Sequence, residues 1–229
     1  MTDPSQHPLD RAAWAALSTR QAGLALGDDR ARRLAPEYGL FAAAADRSEE
    51  SLARLAALVR ETGPAALFEA DPPRALEGVR ITPGDPISQM VAENPAFPTV
   101  GFEVVRLGDE DADEMLELAT LTRPGPFFSR THRLGDFIGV REGGRLAAMA
   151  GERLRLPGYT EVSAVCTHPD FRGRGYAAGL MGLVTRAIVA RGEKAFLHVY
   201  DHNVTAIALY ERLGWRRRRA VEVVFLDPA

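Results

Sequence analysis

The residues His168-Pro-Asp-Phe-Arg-Gly-Arg-Gly-Tyr-Ala-Ala178 constrain this chain more than any other stretch, because they demand one kind of turn between two kinds of element. Upstream, Glu161-Val-Ser-Ala-Val-Cys-Thr167 is rich in β-branched residues and predicts a strand. Downstream, Leu180, Met181, Val184, Ala187 and Ile188 recur at helical spacing, so a helix with one buried face should run to about Arg191. Between them, Gly173 and Gly175 let the backbone turn with its N–H groups pointing into one concavity. The helix start adds unpaired N–H groups and a positive dipole end. Such a loop is a seat for a phosphate or pyrophosphate.

Three readings fit this loop. It is a strand-to-helix turn without a ligand, a dinucleotide fingerprint, or a coenzyme A pyrophosphate loop. Gly173-Arg-Gly175-Tyr-Ala-Ala178 satisfies G-x-G-x-x-A. Five residues including Pro169 separate the strand end from the first glycine, however, where a dinucleotide-binding turn is tight. Only about fifty residues follow, too few for a doubly wound sheet. The stretch Val165-Cys-Thr-His-Pro-Asp-Phe-Arg172-Gly-Arg-Gly175-Tyr-Ala177 instead resembles the coenzyme A loop of the GNAT acyltransferases, Arg/Gln-x-x-Gly-x-Gly/Ala after a strand. A second motif, Asn203-Val-Thr-Ala-Ile-Ala-Leu-Tyr-Glu-Arg-Leu-Gly-Trp215, resembles that superfamily's later helix, which carries Asn, Ala and Tyr and ends in Leu-Gly-Phe/Trp.

The resemblance, closest to the FR47-like, two-lobed type, implies an α/β (α+β) fold with a mixed, mostly antiparallel sheet flanked by helices. It covers residues 101–229 as an acyl-CoA-binding catalytic domain. Residues 1–100 form an N-terminal helical or mixed lobe, read either as a degenerate half-copy of the same fold or as a lid or oligomerisation element. The implied activity is N-acetyl transfer from acetyl-CoA to a primary amine of a small molecule, peptide or protein, by direct attack in a ternary complex. The alternative is an acyl-CoA-binding regulatory module without turnover.

Composition narrows the classes. A net charge of −3 and a pI near 6.0 argue against nonspecific nucleic-acid or acidic-membrane binding. One cysteine in 229 residues excludes an internal disulfide framework. The start of the chain, with Asp3, Pro4 and His7, lacks a leader pattern, and no apolar run reaches spanning length, so a cytoplasmic location is expected. Homodimer formation is left open.

Along the chain, Leu9, Ala13, Ala16, Leu17 and Gln21 predict a helix with Asp10 as N-cap. Ser48-Glu-Glu-Ser51 opens a firmer helix, with Leu52, Leu55, Ala56, Leu58 and Val59 on its apolar stripe and Gly63-Pro64 as its stop. Ala65–Glu69 reads as a strand, and prolines at 72, 73, 83, 86, 95 and 98 predict mostly turns and short extended pieces up to Pro98. Phe102–Leu107 reads as a strand, and acid-rich Asp109–Glu114 as the start of a helix. Arg123-Pro-Gly-Pro-Phe-Phe128 breaks that helix; the resemblance places this segment at the acceptor site, so Phe127 and Phe128 face substrate or simply pack. Glu142-Gly-Gly-Arg145 predicts a hairpin and Pro157-Gly158 the next turn. Arg216-Arg-Arg-Arg219 reads as a solvated strand edge.

The chemistry of acyl transfer assigns provisional roles. Attack on a thioester builds negative charge on oxygen and expels a thiolate. The resemblance implies that backbone groups at Ala164, Val165, Cys166 and Thr167 meet the pantetheine arm and the oxyanion. It implies that Arg172, Gly173, Arg174, Gly175, Tyr176 and Ala177 hold the pyrophosphate, with Asn203 and Ala206 beside the cofactor. Asn203 should cap a helix whose Ala206, Tyr210 and Leu213 share a face, and Tyr210 is the candidate acid for the leaving thiolate. Glu161 is the candidate base, with Glu152 as an alternative and no dedicated base as a third option. Cys166 reads as a small buried residue rather than a nucleophile, and His198 and His202 have no metal-ligand spacing. No metal is expected.

Overall fold

Short runs of β-branched and small apolar residues between Gly and Pro punctuation extend, and runs with apolar residues every three or four positions coil. In the computed structural model, which describes residues 7–229, this patterning yields twelve strands and five α-helices among the described residues. Asp3 and Pro4 lie outside that range. The first half runs α1 (Ala12–Leu17), β1 (Ala25–Gly27), β2 (Ala31–Leu34), β3 (Ala42–Ala44), α2 (Glu49–Thr62), β4 (Ala65–Glu69), β5 (Val79–Pro83) and β6 (Ile87–Ala92). The second runs β7 (Val105–Leu107), α3 (Ala112–Thr122), β8 (Phe137–Glu142), β9 (Arg145–Leu156), β10 (Tyr159–Thr167), α4 (Tyr176–Ala190), β11 (Lys194–Tyr200), α5 (Val204–Arg212) and β12 (Trp215–Pro228). None of these helices is long and apolar enough to cross a membrane.

The large sheet is ordered β4-β12-β6-β11-β10-β9-β8-β7, with β5 also paired to β12. Every strand pair in it is antiparallel except β10 with β11, so the mixed, mostly antiparallel sheet flanked by helices is present. β6, from the proline-rich first half, lies between β11 and β12 in the middle of this sheet, while β12 crosses to pair with β4. Residue 100 therefore marks a change in the character of the sequence and not a break in the sheet.

The order has a hidden symmetry. β8-β9-β10, α4 and the parallel neighbour β11 are matched by β1-β2-β3, α2 and β4, where a parallel bridge joins Phe41 to Ala66. β6 pairs with β11 as β12 pairs with β4, and the two then pair with each other. Apart from β5 and β7, which have no counterparts, the strand order thus reads alike on the two sides of the β6–β12 pair.

The core beneath α4 follows from side-chain size. Leu180, Met181, Val184 and Ile188 bury their shared face against Ala147, Ala148 and Ala150 of β9 and Ala195 and Leu197 of β11, where small residues let the helix settle close. Removing that apolar area from water is the main force holding α4 to the sheet. A second core forms under α2 from Leu55, Leu58, Val59 and Leu67 with Val224 and Leu226 of β12.

Three local expectations are corrected. Asp10 caps no α-helix: α1 begins after Arg11 without a side-chain cap, and the Asp10 carboxylate accepts from Arg218 and Arg219 at 2.5 Å each. The basic run is accordingly not all solvated edge. Arg216 and Arg217 are exposed, but a bulge at Arg218 turns that side chain onto Gln89 Oε1 (2.7 Å) and Asp10, tying the first half to the second. The strand expected over Phe102–Leu107 starts only at Val105, because Phe102 leaves the ladder to pack edge-on against Tyr176, ring centroids 4.9 Å apart.

Candidate active site

β10 and β11 run parallel only through Tyr159, Thr160 and Glu161, after which they part. On the opposite edge of β10 the register with β9 jumps between Ser163–Gly151 and Cys166–Met149, leaving two residues facing one. Ala164 and Val165 form that bulge and have no ladder partner on either side, and Ala164 sits at φ 53°, unusual for a residue with a Cβ. A bulge next to a splayed strand frees backbone polar groups and re-aims side chains, and here it opens a cleft.

That cleft, about 620 Å³, is lined by Val165, Cys166 and Thr167, by the loop Arg172-Gly-Arg-Gly-Tyr-Ala177, and by α5 through Asn203, Ala206 and Tyr210. The residues singled out from the sequence for the donor side therefore meet in one place, except that Ala164 lies beneath the wall and Glu161 lies elsewhere. Gly173 and Gly175 both adopt φ 78°, and a Cβ at either would project into open space with no protein atom within 4 Å. Gly175 is the residue before α4, whose first N–H groups face the same space. Four arginines, at 123, 172, 174 and 212, line the cleft and none of its residues is acidic. Around Arg172–Ala177 the cradle fits a multiply charged pyrophosphate and phosphate group: backbone donors, a helix start and the charges of Arg172 and Arg174 coincide, Arg174 also lying 3.7 Å from Glu142.

Asn203 caps α5 as expected, its side chain accepting from Ala206 N at 3.2 Å. Tyr210 lies on the inner face of α5 beside Trp215, half-buried, and burial pushes its phenol up to about 12 with no hydrogen bond to offset it. Cys166 is buried at the cleft floor, where burial pushes its thiol up to about 11, so it is a poor thiolate nucleophile.

A second, smaller pocket of about 120 Å³ adjoins the first and shares Arg123, Pro124, Val165, Asn203, Ala206 and Tyr210 with it. Its remaining wall comes from Phe68 and Ile87 of the first half, Gly125 and Pro126 after α3, and Arg153, His198, Val199 and Tyr200. The segment after α3 does border the site, but through Arg123–Pro126. Phe127 packs at 87° against Phe137 instead, and neither it nor Phe128 lines either pocket.

Glu161 is fully buried and bound on all sides. Arg153 Nε and Nη2 donate to its two oxygens at 2.9 and 2.7 Å, and His198 Nδ1 lies 2.7 Å away. Burial alone would raise its pKa, but the Arg153 charge and hydrogen bonds from Arg153 and His198 outweigh it and hold the carboxyl at about 2. A carboxylate so held is a weak proton acceptor, and the strand-end solvation the sequence allows is absent. His198 Nε2 lies 3.1 Å from Gln89 Nε2, which also donates to Leu9 O at 2.9 Å, so the ring is the Nδ1–H tautomer donating to Glu161. Glu152, the alternative base, is buried too, 2.7 Å from Arg191. His202 stacks on Tyr200. Arg123, Arg153 and His198 are pocket residues that no local motif marks, and Arg212 lies within the Asn203–Trp215 stretch without being singled out by it; only the helix break at Arg123-Pro-Gly-Pro signals one of them.

The FR47-like protein family model matches residues 137–224. The crystal structure of a protein from Novosphingobium aromaticivorans, described as an acetyltransferase of the GNAT family, is 44% identical over 98% of this chain and 100% of its own, with a TM-score of 0.88. A GCN5-related N-acetyltransferase from Kribbella flavida is 20% identical over 95% and 96% of the two chains, TM-score 0.63. A GCN5-related N-acetyltransferase-like protein from Streptococcus suis is 16% identical over 94% and 92%, TM-score 0.56, and shares the fold.

Proposed function

The chain belongs to the GNAT family of acetyltransferases and is an acyltransferase, and from that premise we propose that it transfers an acetyl group from acetyl-CoA to a primary amine in a ternary complex. Bound acetyl-CoA supplies the activated thioester; the chain supplies its placement and the proton. The loop Arg172–Ala177 and the start of α4 take the pyrophosphate, with Arg174 and Arg212 adding charge. Asn203 and Ala206 flank the arm, and the unladdered backbone at Ala164 and Val165, continued by Cys166 and Thr167, faces the thioester and the charge developing on its oxygen. Tyr210, on the wall shared by both pockets, donates its proton to the departing sulfur.

The place of Tyr210 carries this reading: of the six residues that line both pockets, only Tyr210 bears a hydroxyl, so it is the proton donor at the junction of donor and acceptor. Burial raises its phenol, and desolvation would raise a thiol expelled beside it in the same direction.

With Glu161 committed to Arg153 and His198, the chain offers no free carboxylate in the acceptor pocket, and the amine enters unprotonated. Residues 1–100 serve as a degenerate half-copy: the strand symmetry supports this, and its β3–α2 turn, Ala45-Asp-Arg-Ser48, has no glycine to seat a phosphate. The half-copy instead lends Phe68 and Ile87 to the acceptor pocket. The test is free-thiol release by the purified chain with acetyl-CoA across a panel of amines. Amine-dependent release is expected; tight acetyl-CoA binding with no release for any amine would favour a binding module.

A further inference from the structure

The geometry points to an acceptor that carries a carboxylate beside its amine, with Arg123 as the residue that recognises it. This inference rests on the acetyltransferase reading above.

The acceptor pocket holds two arginines, Arg123 and Arg153, and no acidic side chain. Arg153 is not available to an anion: Glu161 takes its guanidinium in a two-point pair, and the same group lies 4.7 Å over the Phe41 ring. Arg123 is different. It is exposed, stands where the donor and acceptor pockets meet, and neither pocket gives it a carboxylate partner. The anionic groups of coenzyme A belong at the Arg172–Ala177 loop, whereas the Val165–Tyr210 end, which Arg123 borders, receives the uncharged thioester arm. An anion reaching Arg123 there comes from the acceptor side.

The backbone adds a second observation. Among the described residues only two non-glycine positions have positive φ: Arg123 at 51°, which lines both pockets, and Ala164 at 53°, the neighbour of Val165, which lines both too. The left-handed cap of α3 is a place where glycine is the usual residue. Pro124 and Pro126 stiffen the chain just after it, so the backbone that carries Arg123 is held at this junction. A cation also suits the C-terminal end of α3 for dipole reasons, so the test must read recognition and not stability. A positive pocket without acids disfavours polyamines and lysine-rich acceptors and favours amino acids or short peptides presenting amine and carboxylate together.

The experiment measures thiol release by the full chain at saturating acetyl-CoA with amino acids and dipeptides, each beside its C-terminal amide and its decarboxylated amine. The amide's amine is less basic and so more often free, a bias against the expected result. The acids should exceed their amides by about 10- to 150-fold in kcat/KM, the range for a hydrogen-bonded charge. Arg123→Gln should abolish that ratio while leaving the KM for acetyl-CoA unchanged, and Arg123→Lys should restore part of it. Equal turnover of acids and amides, or a raised acetyl-CoA KM in Arg123→Gln with the acid preference intact, would overturn the inference and leave the transferase reading standing. No thiol release with any amine would overturn both.

Discussion

Glu161→Gln separates a structural carboxylate from a catalytic one. The substitution keeps the side chain's size and an oxygen for Arg153, but removes the charge facing a guanidinium that is itself 8% exposed. With the carboxyl held at about 2 against an ordinary 4.5, the difference at about 1.4 kcal/mol per pH unit corresponds to about 3 kcal/mol of folded-state stabilisation. That agrees with the roughly 3–5 kcal/mol lost when one partner of a buried ion pair is removed. Because the folded value is depressed, this stability is fully present above the unfolded pKa and disappears as pH falls from 4.5 toward 2. Urea unfolding at pH 7 should therefore show Glu161→Gln weaker by about 3 kcal/mol, with the gap to wild type narrowing below pH 4.5. The kcat of the folded variant should change by less than about tenfold. A variant of unchanged stability whose kcat falls by about 10²–10⁴ would refute the reasoning and make Glu161 the base.

Two substitutions test glycines held at positive φ, one in the phosphate seat and one at a close backbone approach. Gly175→Val puts a β-branched residue at φ 78° with open space around it, so the protein should fold with a loss of about 1–2 kcal/mol. Coenzyme A affinity, measured by calorimetry, should drop beyond about tenfold, as expected for a blocked phosphate seat; unchanged affinity in the folded variant would reject the loop assignment. Gly214→Ala would place a Cβ 1.9 Å from Asn94 O at φ 84°, where the turn before β12 meets the end of β6. A loss of about 3 kcal/mol or more, lowering Tm by roughly 6–12 °C, is expected; an unchanged melting curve would contradict the close approach of those two segments.

The donor half of the site is legible in the sequence because its determinants are local. Strand, glycine turn and helix start are contiguous from Glu161 to Ile188, and Asn203 and Tyr210 sit seven residues apart on one helix. The hairpin at Gly143-Gly144 and the end of α2 at Gly63 likewise follow from backbone freedom at single residues, each at positive φ. The acceptor half is not legible, since it is built by pairing between segments more than a hundred residues apart. Ile87–Ala92 carries no alternation to mark it as a central strand; it becomes one by fitting between β11 and β12. Glu161 shows the same limit. Its sequence neighbours give it a strand-end position, and only the fold reveals that Arg153, eight residues back, and His198, on the next strand, enclose it. Asp10 reads as a cap from its spacing and proves to be a clamp because Arg218 bulges toward it.

The most direct measurement is the steady-state kinetics of Tyr210→Phe on the acceptor found for the wild type, paired with acetyl-CoA affinity by calorimetry. The ring keeps its packing beside Trp215 and loses only the proton donor. Affinity should hold within about twofold while kcat and kcat/KM fall together by about 10²–10⁴, because the lost interaction belongs to the transition state. Full turnover in Tyr210→Phe, with acetyl-CoA still bound, would contradict proton donation by this phenol.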